Sequence, residues 1–233
     1  LYILVNGSVG SAYGWGYTLF YATNFIFTGL SVAVAFHARL FNIGGEGQAA
    51  LGGLGVALVA LSIDWPHWAL ALPVAVIGGM VFGALWAAVP AYLQVRRGSH
   101  IVITTIMFNY IAAALMVYLL ANVLKVPGSA SPETARFIEG ARLPNAADIL
   151  PWVGFSRSTP LNVSFLVAVL ACIGVYFLIW RTRLGYEIRA FGHSEPAALY
   201  AGISPVRITM LAMLISGGLS GLMAINAVMG EAE

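Results

Sequence analysis

Ala69-Leu-Ala-Leu-Pro-Val-Ala-Val-Ile-Gly-Gly-Met-Val-Phe-Gly-Ala-Leu-Trp-Ala-Ala-Val-Pro-Ala-Tyr-Leu93 runs for 25 residues without one charged or amide side chain. About 20 apolar residues let a helix cross the hydrocarbon layer of a bilayer, whereas a membrane β-barrel is built from segments of about ten residues that alternate apolar and polar. Residues 69–93, and 161–180 beyond its first turn, are continuously apolar, so the spanning elements are helices. The rest of the composition agrees. Of 233 residues, 60% are hydrophobic and 9% charged, with a mean hydropathy of +0.88. Soluble domains carry about 25% charged residues. A water-soluble enzyme, a disordered regulator and a nucleic-acid binder are thereby excluded; the 11 basic residues form no stripe. Cys172 is the single cysteine, and no metal-ligand cluster or cofactor motif is expected.

Six stretches have spanning length: 18–37, 42–62, 69–93, 101–124, 161–180 and 208–229. The fold class is all-α and polytopic. The chain opens at Leu1 and stops just past an apolar run, which reads as a fragment of a longer membrane protein. Alternate connections place Arg39, Arg96, Arg97, Arg181, Arg183, Arg189 and Arg207 on one side. The other side holds Lys125, Arg136, Arg142 and Arg157, balanced by Asp64, Glu133, Glu139 and Asp148. The side with the arginine excess is expected to be cytoplasmic. The 62–68 turn then faces outward, with Trp65 and Trp68 suited to the interface belt, and 125–160, with Pro127, Pro132, Pro144, Pro151 and Pro160, is an extracytoplasmic loop. Two small-xxx-small pairs, Gly79/Gly83 and Gly217/Gly221, permit close helix approach.

His37-Ala-Arg-Leu-Phe-Asn-Ile-Gly-Gly-Glu-Gly-Gln48 interrupts this apolar pattern. Glycines at 44, 45 and 47 disfavour regular helix. Irregular backbone at membrane depth survives only when buried in protein or lining a water-filled cavity. Two readings stand. In one, the stretch is a broken helix lining a translocation path, with Glu46 paired to Arg39 or His37. In the other, it is a short cytoplasmic turn whose Glu46 caps the second span. Asn24, Thr28 and Ser31 share one face of the first span, Thr105 and Asn109 a face of the fourth, and Ser216 and Ser220 a face of the sixth, with Asn226 beyond. Such stripes suit a hydroxylated solute. They also suit ordinary interhelical hydrogen bonds.

Two catalytic readings fail. Gly218-Leu-Ser-Gly221 has the form of an intramembrane serine protease element, but no histidine follows Ser220 to act as base. A phosphate-binding loop needs Gly-x4-Gly-Lys-Ser/Thr, and the one lysine, Lys125, lies in Val-Leu-Lys-Val-Pro. The chain is therefore no ATPase by that route, and any ATP hydrolysis belongs to another subunit. In the charged segment 181–207, Ser194 as N-cap, Pro196 in the first turn and Gly202 past the end predict a short amphipathic helix over 195–201. It is either a linker or a docking helix for a cytosolic partner.

Phe41-Asn-Ile-Gly-Gly-Glu-Gly-Gln48, Ile101-Val-Ile-Thr-Thr-Ile-Met-Phe-Asn-Tyr-Ile-Ala112, Arg181-Thr-Arg-Leu-Gly-Tyr186 and Ala197-Ala-Leu-Tyr-Ala-Gly-Ile203 follow one another in an order and spacing that resemble the permease subunits of bacterial ABC importers for branched-chain amino acids, ribose and simple sugars. Within that class the chain looks most like the nucleoside and simple-sugar permeases, over nearly its whole length. Gly45 stands where alanine is frequent in the family. The resemblance implies a multi-pass subunit of the bacterial plasma (inner) membrane with about eight to ten spans. It implies as partners a cytosolic ABC ATPase, a second permease subunit, identical or homologous, and an extracytoplasmic substrate-binding protein, and it implies no cofactor. It places Glu195, Ala197, Ala198, Tyr200, Ala201 and Gly202 in the coupling helix and its cap, within a cytoplasmic coupling loop over 181–207. Residues Asn24, Thr28, Asn42, Glu46, Gln48, Thr105 and Asn109 are the candidates for the substrate path. A bulky charged residue at Gly202 or Ala198 is expected to uncouple transport without unfolding the chain. The competing class is an ATP-independent secondary transporter or channel, for which only Glu46 supplies a mid-membrane charge.

Overall fold

The computed structural model describes residues 2–129, 131, 133–149, 152, 154, 155 and 158–230; Pro132, Pro151 and Arg157 lie outside them. The regular elements among the described residues are all helical: α1 (Tyr2–Val9), α2 (Ala12–His37), α3 (Gly45–Ser62), α4 (Trp68–Arg97), α5 (Ile101–Asn122), the short α6 (Ala146–Ile149), α7 (Ser164–Arg181), α8 (Arg183–His193), α9 (Glu195–Tyr200) and α10 (Pro205–Val228), with one 3₁₀ turn at Glu139–Ala141. The protein is an all-α polytopic membrane protein.

Five helices, α2, α4, α5, α7 and α10, are long and apolar enough to cross a membrane. The expected span over 42–62 is corrected. Its helix, α3, begins only at Gly45, and its 18 residues include Glu46, Gln48 and five glycines, which lower its apolarity. At 30 residues, α4 is about 45 Å long. That exceeds the roughly 30 Å hydrocarbon layer, so Arg96 and Arg97 project at its end. Gly98 stops α4 in the left-handed conformation (φ 65°), its N–H bonded to Gln94 O and that of Ser99 to Leu93 O, the cap that releases a chain from a helix.

The central helix is α10. Of its most apolar stretch, 72% is buried, against 17–33% for the other four spanning helices. It packs against α2, α3 and α4. The two glycine pairs read from the sequence meet each other: a Cβ on Gly79 would lie 3.2 Å from Gly221 O, and one on Gly217 would lie 2.6 Å from Gly83 O. A side chain at either position would drive the backbones apart, so glycine here sets the α4–α10 distance.

The two ends of the bundle differ as the arginine count predicts. Around one end gather Arg39, Gln94, Glu195 and Pro205, and beside them Arg183, Glu187 and Arg207. Arg183 Nε donates to Glu187 Oε1 at 3.0 Å. At the opposite end Leu143 N donates to Met229 O (2.9 Å), pinning the long 123–163 connection to the end of α10, and Ala146 N donates to Leu161 O (2.7 Å), closing the connection on itself. Trp65 is not a plain belt residue. Its indole N–H donates to Val59 O at 2.9 Å, and with Trp68 it packs against the core. The helix α8 was not read from the sequence, although Leu184, Ile188 and Phe191 lie on one face of it, at i, i+4 and i+7, and Thr182 caps it.

Candidate functional site

The segment 38–44 does not cross the bundle end as a simple turn. After His37 the backbone reverses, with Arg39 at φ 56°, the sole non-glycine residue with positive φ among those described. Leu40 N returns to Ala35 O at 3.0 Å. The strap then climbs into the bundle. A Cβ on Gly45 would lie 3.4 Å from Ser220 Oγ, and Gly47 N donates to Asn109 Oδ1 at 2.9 Å. Asn109 and Ser220 stand eight and fifteen residues from the basic-end termini of α5 and α10, about 12 and 22 Å at 1.5 Å per residue. Thus α3 starts inside the bundle, and of the two sequence readings the geometry matches the break at depth. Glu46 nonetheless occupies the first turn of α3, where a carboxylate favours the helix dipole.

Backbone at this depth needs protein partners, and the strap finds them on amides and hydroxyls. Asn42 Nδ2 donates to Gln48 Oε1 (2.9 Å) and Ser216 Oγ (2.8 Å), while its Oδ1 accepts from Gly44 N (2.9 Å) and Gln48 Nε2 (3.0 Å). Both donor and both acceptor positions of the side chain are used. Ser31 Oγ lies 2.9 Å from Ser216 Oγ and 2.7 Å from Ser220 Oγ, joining α2 to α10. Asn109 bridges the strap's end from α5: it accepts from Gly47 N and donates to Ile43 O at 2.9 Å, satisfying a first-turn N–H of α3. Thr105 is buried and bonds its own helix at Ile101 O (2.8 Å). Its Cβ closes the wall behind Gly44, where an added methyl would lie 3.2 Å from it and 2.8 Å from Gln48 Nε2.

The seven candidate path residues therefore separate. Asn42, Gln48, Thr105 and Asn109 build the polar seam that holds the strap. Thr28 bonds within α2, to Asn24 O at 3.1 Å. Asn24 and Glu46 instead line an open groove of about 530 Å³ between α3, α5 and the far half of α10. Its α3 wall is Glu46, Ala49, Ala50, Gly53, Leu54 and Ala57, and Thr134 and Phe137 stand at its outer mouth. Asn24 Oδ1 also accepts from Asn226 Nδ2 at 2.8 Å. Asn226 Oδ1 in turn accepts from Asn162 Nδ2 (3.0 Å) and Ser164 Oγ (2.7 Å), tying α2, α7 and α10 together.

The pairing expected for Glu46 is not found. His37 is occupied, its Nδ1 2.7 Å from Ala33 O and its ring edge-on to Trp180, and Arg39 points to a cavity of about 450 Å³ at the basic end, shared with Gln94 and Glu195. Glu46 is exposed on the groove.

At the basic end α9 forms as read. Ser194 Oγ accepts from Ala197 N at 3.4 Å, Pro196 lies in the first turn, and Gly202 turns the chain at φ 80°. Ala197 O accepts from Ala201 N, closing the cap. Ala198 is 2% exposed and packs into the core, whereas Leu199 is 61% and Tyr200 97% exposed. The residues of α9 thus divide between an anchor and a free apolar face.

Comparison with known proteins places the chain in a family. The family described as "Branched-chain amino acid transport system / permease component" matches residues 15–230. The chain belongs to that permease family. It is 37% identical over 94% of its length to the guanosine ABC transporter permease protein NupP of Bacillus subtilis (strain 168), covering 61% of that protein. It is 34% identical over 92% of its length to the nucleoside ABC transporter permease protein NupB of Lactococcus lactis subsp. cremoris, covering 59% of it. It is also 34% identical over 95% of its length to the glucose ABC transporter permease protein TsgB13 of Haloferax volcanii, covering 58%. The permease chain thus spans about three-fifths of the length of the curated relatives it matches. No solved structure matches it.

Sequence spacing pointed to Ser31, Ser216, Ser220 and Asn226 of the permease as stripes without placing them in the site. Asn162 and Ser164 were missed, because their partner, Asn226, lies more than 60 residues along the chain.

Proposed function

We propose that this permease chain is the transmembrane part of an ATP-driven importer that moves nucleosides or simple sugars across a bacterial plasma membrane. The observation that carries the reading is Glu46. A charged side chain facing lipid at mid-membrane costs about 2.5 kcal/mol or more, so an exposed carboxylate on a groove at this depth belongs to a water-filled path. Ala49, Ala50, Gly53 and Ala57 along α3 leave room for a solute, and the names of relatives that match over most of this chain specify guanosine, nucleosides and glucose. The chain makes no covalent bond in this scheme. A cytosolic ATPase docks on Leu199 and Tyr200 of α9, a second permease subunit completes the path, and an extracytoplasmic binding protein delivers solute on the side of the 125–160 loop.

The strap supplies a route between the two sites. Arg39 and Leu40 share a cavity with Glu195, the first residue of α9, and Asn42 and Glu46 follow within seven residues of Arg39. A shift of α9 reaches the groove through one short, hydrogen-bonded segment. The test is to express the full-length protein from its native gene cluster with an affinity tag, purify it in mild detergent and identify its companions by mass spectrometry. Co-purification of a subunit bearing a phosphate-binding loop is the expected result. A protein that purifies alone and moves solute in liposomes without ATP would place it among secondary transporters.

A further inference from the structure

We infer that Glu46 makes the groove selective by charge, passing uncharged polyhydroxylated solutes and excluding phosphorylated ones. The inference rests on the groove being the path and adds which solutes that path accepts. Among the residues lining the groove, Glu46 is the one with a charge; the polar remainder is Asn24 and Thr134, and the walls are otherwise alanine, glycine and larger apolar side chains. The basic residues nearest in sequence are turned away: His37 bonds Ala33 O and meets Trp180 edge-on, and Arg39 lines the cavity at the basic end. A nucleotide or sugar phosphate within the groove meets an uncompensated carboxylate and no cation among the lining residues.

A neutral solute meets the opposite situation. A carboxylate is an acceptor with about four lone-pair sites and can take hydrogen bonds from two adjacent hydroxyls. A vicinal diol, present in ribose and in hexoses alike, supplies that pair. The base of a nucleoside, or the apolar face of a sugar ring, then lies along Ala50, Gly53 and Ala57 toward the aromatic ring of Phe137 at the outer mouth, whose carbonyl Arg142 Nε holds at 3.1 Å.

The test uses the full-length protein in membrane vesicles, with Cys172 and any cysteine outside these 233 residues replaced by alanine and Ala50→Cys to place a reporter one helical turn above Glu46. Side chains at i and i+4 are about 6 Å apart. At that distance a unit charge changes the local concentration of a charged reagent about threefold in either direction even at the dielectric constant of water. A cationic methanethiosulfonate is therefore expected to modify Ala50→Cys about tenfold faster than an anionic one, and Glu46→Gln is expected to bring that ratio to about one. A nucleoside should slow the labelling, and its 5′-monophosphate at the same concentration should not. Equal rates for the two reagents with Glu46 intact, or equal protection by the monophosphate, would overturn the charge selection while leaving the path in place. Absence of labelling by either reagent would overturn the path itself, and the selection with it.

Discussion

Aspartate at both Leu199 and Tyr200 is expected to reduce ATP-driven uptake by about 30-fold or more while leaving the permease folded. These two side chains are the exposed apolar face of α9, at 61% and 97% exposure, and nothing among the described residues covers them. Anchors of this kind at a protein interface are typically worth 2 kcal/mol or more each, and 2 kcal/mol is about 30-fold in affinity. The structure also revises which substitution isolates docking from folding. Ala198, the position suggested by the sequence, packs into the core, so arginine there displaces α9 from its own body before it disturbs a partner. Gly202 sits at φ 80°, and any side chain strains that turn. The measurement is uptake together with ATPase co-purification and the thermal midpoint of the detergent-purified protein. Uptake within twofold of the parent would rule α9 out as the docking element, and a collapsed midpoint would show its exposed face to be structural.

The second large effect is expected at Asn42. Replacing it by leucine deprives Gln48 of both its side-chain hydrogen bonds, leaves Gly44 N unsatisfied and removes a donor to Ser216. A single interhelical hydrogen bond in a membrane protein averages only about 0.6 kcal/mol. Here, however, four bonds converge on one buried side chain, and each polar group left without a partner costs about 1–3 kcal/mol. A loss of about 2–5 kcal/mol follows. Orphaned partners weigh more than lost bonds in this estimate, so Asn42→Leu combined with Gln48→Leu is expected to be no less stable than Asn42→Leu alone. Denaturation midpoints of the parent, both single variants and the double variant form the cycle that checks it. A single variant within 0.5 kcal/mol of the parent would show that the strap does not depend on the seam.

Local chemistry made much of this fold legible in the sequence. The apolar run of 69–93 gave α4, and Ser194, Pro196 and Gly202 bounded α9, because caps and helix breakers act within a few residues. The glycine pairs at 79/83 and 217/221 announced close packing, though not that they pack on one another. Depth was not legible. Whether Gly44–Gln48 lies inside the bundle depends on where Ser220 and Asn109 fall, and the bonds that decide such placement join residues 62 to 189 apart in the chain. The free state of Glu46 was hidden for the same reason. Its neighbours in sequence, His37 and Arg39, offered obvious partners, but Trp180 and the cavity beside Glu195 hold them elsewhere. Among the seven path candidates, residue type alone could not separate the amides that build the seam from the two side chains that face the groove.

The most direct test of the central claim is transport itself. The full-length permease, reconstituted in liposomes with its co-purified ATPase and binding protein, should accumulate a radiolabelled nucleoside or hexose with ATP on the α9 side, and should stop when a non-hydrolysable analogue replaces ATP. Accumulation that proceeds unchanged with the analogue, or that follows an ion gradient instead, would contradict the account.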